Sequence, residues 1–219
     1  MRKFFKLILL VLLFIGGATY YYHHQVKLNQ ATTLASRAQS KVSPKKTVMR
    51  TPINWRLPSE TVAYPDLKQL NDFWIKVVIS KNRVYLMDGK KAVYTMYASA
   101  GEYERQAGGK KKSTTPTGTY YIQAERGDSF YNPNLSEGAN YWTSWLNHGE
   151  YLFHTVPTDA NGNYKVAEAK KLGKKPASHG CIRLSVADAK WINQNVPRVL
   201  RSLLPIKKAK LLKVQITFQ

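Results

Sequence analysis

From residue 73 onward the chain is a succession of short runs rich in β-branched and aromatic residues, separated by turn signals. Such runs are typical of strands, and an Asp88-Gly89 pair between two of them indicates a β-hairpin. The runs are 73–79, 83–87, 92–97, 118–123, 141–146, 151–154 and 210–218. This succession of short strands predicts a mainly β domain, a sandwich or open barrel, because helical patterns are few and brief.

Two short helices interrupt the predicted strands. One covers residues 167–172, and the other covers 185–196 with Ser185 as its N-cap and Asp188 three residues later, close to a capping box. Polar, glycine-containing stretches predict loops over 101–113 and 125–138.

The N-terminus has the pattern of an export signal. Arg2, Lys3 and Lys6 precede an uninterrupted apolar or glycine stretch over 7–18, and tyrosines follow at 20–22. We expect residues 1–24 to form an uncleaved membrane-anchor helix with a cytoplasmic N-terminus. The rest of the chain then lies outside the cell. A cleaved signal peptide, giving a secreted protein, is the alternative. Residues 25–72 are expected to form a tether and an extended lead-in, and 73–219 the main domain.

The formal net charge of +21 predicts an anionic partner. An export signal makes nucleic acid the wrong partner and favours an anionic polymer of the cell wall. With one cysteine in the chain, an intrachain disulfide is excluded, so that cysteine needs another explanation.

That cysteine, Cys181, lies in the sequence Ser178-His179-Gly180-Cys181. A histidine lies beside this cysteine and a predicted helix begins after it. Both favour the thiolate over the thiol, so we expect a catalytic nucleophile. The alternative is a small buried apolar residue. A nucleophile also needs a base, and His154 at the end of a predicted strand is the better placed candidate than His148 in a turn.

The stretch Ser-His-Gly-Cys-Ile-Arg-Leu resembles the active-site signature of the L,D-transpeptidases, the YkuD domain family. Three more segments are similar to that family: 98–101, Thr115-Pro116-Thr117-Gly118, and 151–155 with its histidine. The resemblance starts at about residue 73. It implies a YkuD-like β fold and a cysteine acyltransferase that needs neither a metal nor another cofactor.

The resemblance also implies roles for individual residues. His154 matches the base, and the backbone carbonyl of Thr155 would orient its imidazole. His179 and Gly180 match the residues that shape the pocket beside Cys181. Backbone N–H groups of Gly180 and Cys181 are expected to form the oxyanion hole.

Two neighbours of the cysteine are expected to contact substrate or its pocket. Ser178 is expected to brace His179. Arg183 is expected either to hold a substrate carboxylate or to form a structural ion pair. Residues 155–177 are longer than the family's usual spacing and are expected to form a lid over the site.

The reaction that the resemblance implies is acyl transfer from a peptidoglycan stem tetrapeptide. Cys181 would form a thioester with release of D-alanine, an amine of another stem would resolve it, and carbapenems would acylate the same thiol. An L,D-carboxypeptidase and a non-catalytic wall-binding module are the alternatives. A sortase is disfavoured because Arg183 lies only two residues from the cysteine. The acceptor amine, the third stem residue and the oligomeric state stay open.

Overall fold

A computed structural model describes residues 16–17, 19–27, 48–200 and 210–218 of the chain. The chain divides into two units, residues 1–46 and 47–219. In the first unit, residues 16–17 and 19–27 are helical. Most of the expected membrane anchor and the tether lie outside the described residues. Within the part of the chain that is described, no helix has the length and apolar character needed to cross a membrane.

The second unit is mainly β, as predicted, with its strands in one large open sheet and two small ones. The strands are β1 (Phe73–Val78), β2 (Arg83–Asp88), β3 (Lys91–Ser99), β4 (Tyr103–Arg105), β5 (Lys111–Ser113), β6 (Gly118–Tyr121), β7 (Arg126–Asn132), β8 (Glu137–Leu146), β9 (Tyr151–Thr155), β10 (Ile182–Leu184), β11 (Val199–Leu200), β12 (Lys210–Leu211) and β13 (Lys213–Thr217). Two α-helices accompany them, α1 (Val166–Ala169) and α2 (Val186–Asn195), with 3-10 turns at Leu67–Gln69 and Ile79–Lys81.

The large sheet has the strand order β6-β13-β1-β2-β3-β10-β9-β8-β7. Most neighbours are antiparallel, but β1 pairs with β13 and β9 pairs with β10 in parallel. Strand β10 therefore lies in the middle of the sheet, between β3 and β9. This position carries the residues around Cys181 into the interior of the domain.

The first three strands form as the sequence predicts. In β1 the burial alternates, with Ile75 and Val77 almost fully buried, because one face of the strand packs on the core. The predicted turn between β2 and β3 is present, and Gly89 there has a φ of 54°, a left-handed conformation that suits glycine.

Two predicted loops contain strands instead. Strand β7 occupies half of the loop predicted over 125–138, although Gly127 and Asp128 are poor strand formers. It forms because it pairs with β8 along most of its length, from Asn132 opposite Glu137 to Arg126 opposite Thr143. The second is the β4–β5 hairpin, in which Tyr103 pairs with Ser113. Pairing with a partner strand outweighs local preference in both cases.

The lead-in, expected to be extended, is bound tightly to the main domain from residue 48 onward. The Ser59 hydroxyl donates to the carboxyl group of Asp188 on α2, and it accepts the N–H of Tyr97 on β3 at 2.8 Å. Glu60 is also buried, and its carboxylate accepts the backbone N–H of Thr95 at 2.9 Å. Polar side chains therefore attach this segment to both β3 and α2.

Helix α2 begins as predicted, with the Ser185 hydroxyl accepting the Asp188 N–H at 3.1 Å. The capping box is not completed, because the carboxyl group of Asp188 binds Ser59 and Tyr64 instead. The acidic residue of the predicted cap therefore serves to attach the lead-in.

Candidate active site

The parallel pairing of β9 with β10 brings Cys181 and His154 to one face of the sheet. Arg183 lies opposite His154 in the register, and paired residues of neighbouring strands project to the same side. Side chains alternate between the two faces along a strand, so Cys181, two residues before Arg183, lies on the same face as Arg183. Both Cys181 and His154 line one cavity of about 570 Å³.

His154 is buried and its ring is fixed from two sides. Its Nδ1 lies 2.7 Å from the backbone carbonyl oxygen of Thr155. The ring of Phe130 packs edge-on against it, with 5.7 Å between the centroids. Because a carbonyl only accepts hydrogen bonds, Nδ1 carries the proton and Nε2 keeps a lone pair. A histidine in this tautomer is able to take a proton at Nε2.

Burial, together with the positive charge of Arg183, lowers the pKa of His154 to about 3, although the bond to Thr155 opposes this. A charged imidazole would have to give up its hydration without a partner carboxylate, so the neutral form is favoured. His154 is therefore neutral at physiological pH in the free protein.

The expectation that Cys181 is a thiolate is wrong for the free protein. Burial raises the pKa of its thiol to about 11, and this outweighs the lowering by the Leu152 N–H and by Arg183. The thiol lies 3.5 Å from the backbone carbonyl oxygen of Glu150, to which it donates. The helix dipole does not help, because strand β10 separates Cys181 from the start of α2.

The backbone on either side of Cys181 is held by Ser178. Its hydroxyl donates to the Cys181 carbonyl oxygen at 2.6 Å and accepts the Gly180 N–H at 3.1 Å. Ser178 thus braces the cysteine loop, where a bond to His179 was expected. Because the Gly180 N–H is already bonded, it conflicts with the oxyanion role expected of it. The Cys181 N–H is the remaining candidate of the two.

Gly180 and His179 have different surroundings. Gly180 has a φ of 142°, and a Cβ there would lie 2.8 Å from Cε1 of Tyr151, so both conformation and space require glycine. His179 is exposed and lines the same cavity as Cys181.

Arg183 forms the ion pair that was one of its two expected roles. Its side chain is 3% exposed, with Nη2 2.6 Å from Glu137 and Nη1 2.9 Å from Glu168. Its Nε has no hydrogen-bond partner among the described residues. The guanidinium is thus committed to two carboxylates beside His154.

The expected lid is wrong. None of the residues 155–177, all of which are described, lines the cavity. The segment instead packs into a second apolar cluster, where Val156, Ala169 and Leu172 are almost completely buried together with Trp55 and Tyr97. Burial of these apolar side chains holds the segment against Trp55 and Tyr97, so it adds no residue to the cavity wall.

Much of the cavity wall was missed from the sequence. It includes Phe130 and Tyr131 from β7, Glu137 from β8, and Glu150 and Tyr151 where β9 begins. The β7 residues were hidden because their segment has the composition of a loop. The closeness of Glu150 and Tyr151 to His154, four and three residues before it, was the one available signal. His148 lies outside this wall and pairs with Glu125 at 2.8 Å.

Comparison with known proteins finds a match to the family model described as "YkuD: L,D-transpeptidase catalytic domain" over residues 72–214. A protein of Bacillus subtilis (strain 168) named "Putative L,D-transpeptidase YciB" is 45% identical over 148 residues, which cover 68% of this chain and 72% of that protein.

The solved structures that are similar have low sequence identity. An L,D-transpeptidase from Mycobacterium smegmatis is 14% identical with a TM-score of 0.46, and the match covers 67% of this chain. The L,D-transpeptidase LdtMt1 in complex with imipenem is 17% identical with a TM-score of 0.44, and the match covers 66% of this chain. Each match spans 58% of the length of the solved chain.

Proposed function

The chain belongs to the family of L,D-transpeptidase catalytic domains, and from that premise we propose that it cross-links peptidoglycan stem peptides through a Cys181 thioester. The observation that carries the proposal is the placement of Cys181 and His154 on one face of two paired strands, in one cavity. The bond between His154 Nδ1 and the Thr155 carbonyl leaves Nε2 as the base.

In the first half-reaction the thiol proton of Cys181 passes to Nε2 of His154 as the sulfur attacks a carbonyl carbon. That carbonyl belongs to the third residue of a stem tetrapeptide, and the oxyanion that forms is stabilised by the Cys181 N–H. The C–N bond to D-alanine then breaks, and His154 returns the proton to the leaving amine. A thioester and free D-alanine are the products.

In the second half-reaction an uncharged amine of another stem attacks the thioester carbonyl. His154 accepts a proton from the attacking nitrogen and delivers it to the departing sulfur, so the thiol is regenerated and a new amide is formed. Starting from a neutral thiol and a neutral imidazole avoids a buried ion pair in the resting protein. That arrangement is consistent with the opposed pKa shifts of Cys181 and His154.

Arg183 has a supporting role in this proposal. Its charge adds to the burial that keeps His154 neutral, and it holds Glu137 and Glu168 in place. A substrate carboxylate would have to compete with two protein carboxylates for the same guanidinium, so the ion pair is the better supported role.

The N-terminal pattern and the high positive charge extend the proposal to location and partners. We place the catalytic domain outside the cell, attached by the 1–24 segment to the membrane and close to anionic polymers of the wall. Protease accessibility in intact cells and in lysed cells tests this location. Digestion in both supports it, and protection in intact cells contradicts it.

The test of the reaction is incubation of the purified protein with disaccharide-tetrapeptide, with Cys181→Ala as the control and mass spectrometry as the readout. A dimer formed with loss of one D-alanine, and absent in the control, establishes transpeptidation. Tripeptide alone indicates an L,D-carboxypeptidase. No turnover, together with a thiol inert to alkylation, contradicts the enzymatic proposal and favours a wall-binding module.

A further inference from the structure

Thr115, from the segment Thr115-Pro116-Thr117-Gly118, is bonded to the backbone of the cysteine loop. Its side chain is 1% exposed. Its Oγ1 donates to the carbonyl oxygen of Gly180 at 2.7 Å and accepts the N–H of Gly101 at 2.7 Å. Because a threonine hydroxyl has one proton and Gly101 supplies its own, the hydroxyl proton of Thr115 must point to Gly180.

The Gly180 carbonyl and the Cys181 N–H belong to the same peptide group. In a trans peptide the C=O and the N–H point in opposite directions within one plane. A bond that fixes the direction of the Gly180 carbonyl therefore also fixes the direction of the Cys181 N–H. This is the group that remains as the oxyanion donor, since Ser178 binds the Gly180 N–H.

The surroundings of Thr115 make this hydroxyl hard to replace. Ser113 holds the Thr115 N–H through its Oγ at 3.2 Å and donates to the Gly101 carbonyl at 2.8 Å. The buried hydroxyl of Thr115 is thus the connection between the loop at Gly101 and the loop at Gly180. Loss of this buried hydroxyl would leave the Gly101 N–H and the Gly180 carbonyl without their partner.

From this geometry we infer that Thr115 is a positioning residue for catalysis: its hydroxyl orients the Gly180–Cys181 peptide so that the Cys181 N–H faces the developing oxyanion. The inference rests on the proposed acyl transfer, but the same orientation of the Cys181 N–H would assist any attack of Cys181 on a carbonyl. It acts through the peptide group and does not require contact with substrate.

Two reagents separate this role from a general effect on the loop. Acylation of Cys181 by p-nitrophenyl acetate passes through a tetrahedral oxyanion, whereas alkylation by iodoacetamide displaces iodide and forms no oxyanion. In Thr115→Val, which keeps the shape and loses the hydroxyl, acylation should slow by about 10- to 100-fold. This is less than the roughly 100- to 1,000-fold loss on removal of an oxyanion donor, because the Cys181 N–H stays and only its orientation is loosened. Alkylation should stay close to that of the wild type. With disaccharide-tetrapeptide, kcat should fall and KM should change little.

Controls come from the same segment. Thr115→Ser keeps the hydroxyl and should restore most of the acylation rate. Thr114→Val makes the same substitution one residue earlier, at a buried hydroxyl oxygen without a hydrogen-bond partner among the described residues, and should acylate like the wild type. If Thr115→Val does not fold, Ser113→Ala loosens Thr115 and should show the same selective loss on a smaller scale.

Equal losses of acylation and alkylation, or no loss of either, would overturn the inference. A wild-type protein that reacts with the ester but not with the tetrapeptide would contradict the proposed peptidoglycan substrate and leave Thr115 to be judged on the ester alone. The two failures are thus distinguishable.

Discussion

Replacing Arg183 with methionine tests whether this arginine is a structural counterion. The substitution keeps much of the apolar stem and leaves Glu137 and Glu168 facing each other in a largely buried site. Breaking a buried ion pair in this way typically costs about 3–5 kcal/mol. Here both glutamates are partly exposed and each has a second cation: Lys165 lies 3.6 Å from Glu137, and Lys171 contacts Glu168.

These second cations reduce the expected loss of unfolding free energy to about 2–3 kcal/mol. In a domain of this size that corresponds to a fall of about 4–12 °C in Tm. The assay is thermal unfolding followed by circular dichroism at pH 7. Arg105→Met, at an exposed arginine of β4, is the matched control and should shift Tm very little.

A second readout is the titration of His154. Because the charge of Arg183 helps to lower the pKa of His154, Arg183→Met should raise that pKa, and Arg183→Lys, which keeps the charge, should raise it less. The titration can be followed by NMR of the imidazole. An unchanged Tm combined with a raised KM for the tetrapeptide would refute the ion-pair reasoning and favour a substrate carboxylate on Arg183.

Three further predictions concern the pH response and the cysteine loop. Because the pKa of the Cys181 thiol is raised to about 11, its alkylation by iodoacetamide should rise about tenfold per pH unit between pH 7 and 10. Gly180→Ala should lower turnover by about 100-fold, because a Cβ there displaces the loop. Gly162→Ala, the control, is also at a positive φ but in open space and should leave turnover unchanged. Burial raises the pKa of Asp188 to about 6, so its protonated form stabilises the fold below pH 4, and this contribution of about 3 kcal/mol is lost as the pH rises through 6. Chemical denaturation should show that the stability of the wild type relative to Asp188→Asn decreases from pH 4 to pH 7.

Each of these has a contrary outcome. An alkylation rate that levels off near neutral pH would indicate a stabilised thiolate, contrary to the raised pKa of the Cys181 thiol. Full activity in Gly180→Ala would mean that the loop tolerates a side chain. A stability difference for Asp188→Asn that is independent of pH would mean that the carboxyl group is not protonated in the fold.

Much of the strand content was predictable because it depends on local composition. The runs that became β1, β2 and β3 have β-branched and aromatic residues on the buried face, and the turn at Gly89 has a strong local signal. Strand β7 was not predictable, since its residues favour a loop and only pairing with β8 makes them a strand. The wall of the cavity that β7 supplies, including Phe130 beside His154, was missed for the same reason.

The sequence by itself determined the family, the mainly β class and Cys181 as the candidate nucleophile with His154 as its candidate base. The family follows from the resemblance of the cysteine motif, and the rest from residue type and position; all of these are local properties of the chain. Only the tertiary structure decided the protonation state of that pair, the committed bonds of Ser178 and Arg183, and the absence of residues 155–177 from the cavity wall. Each of these depends on burial and on partners distant in sequence, because desolvation and ion pairing are set by which strands the fold brings together.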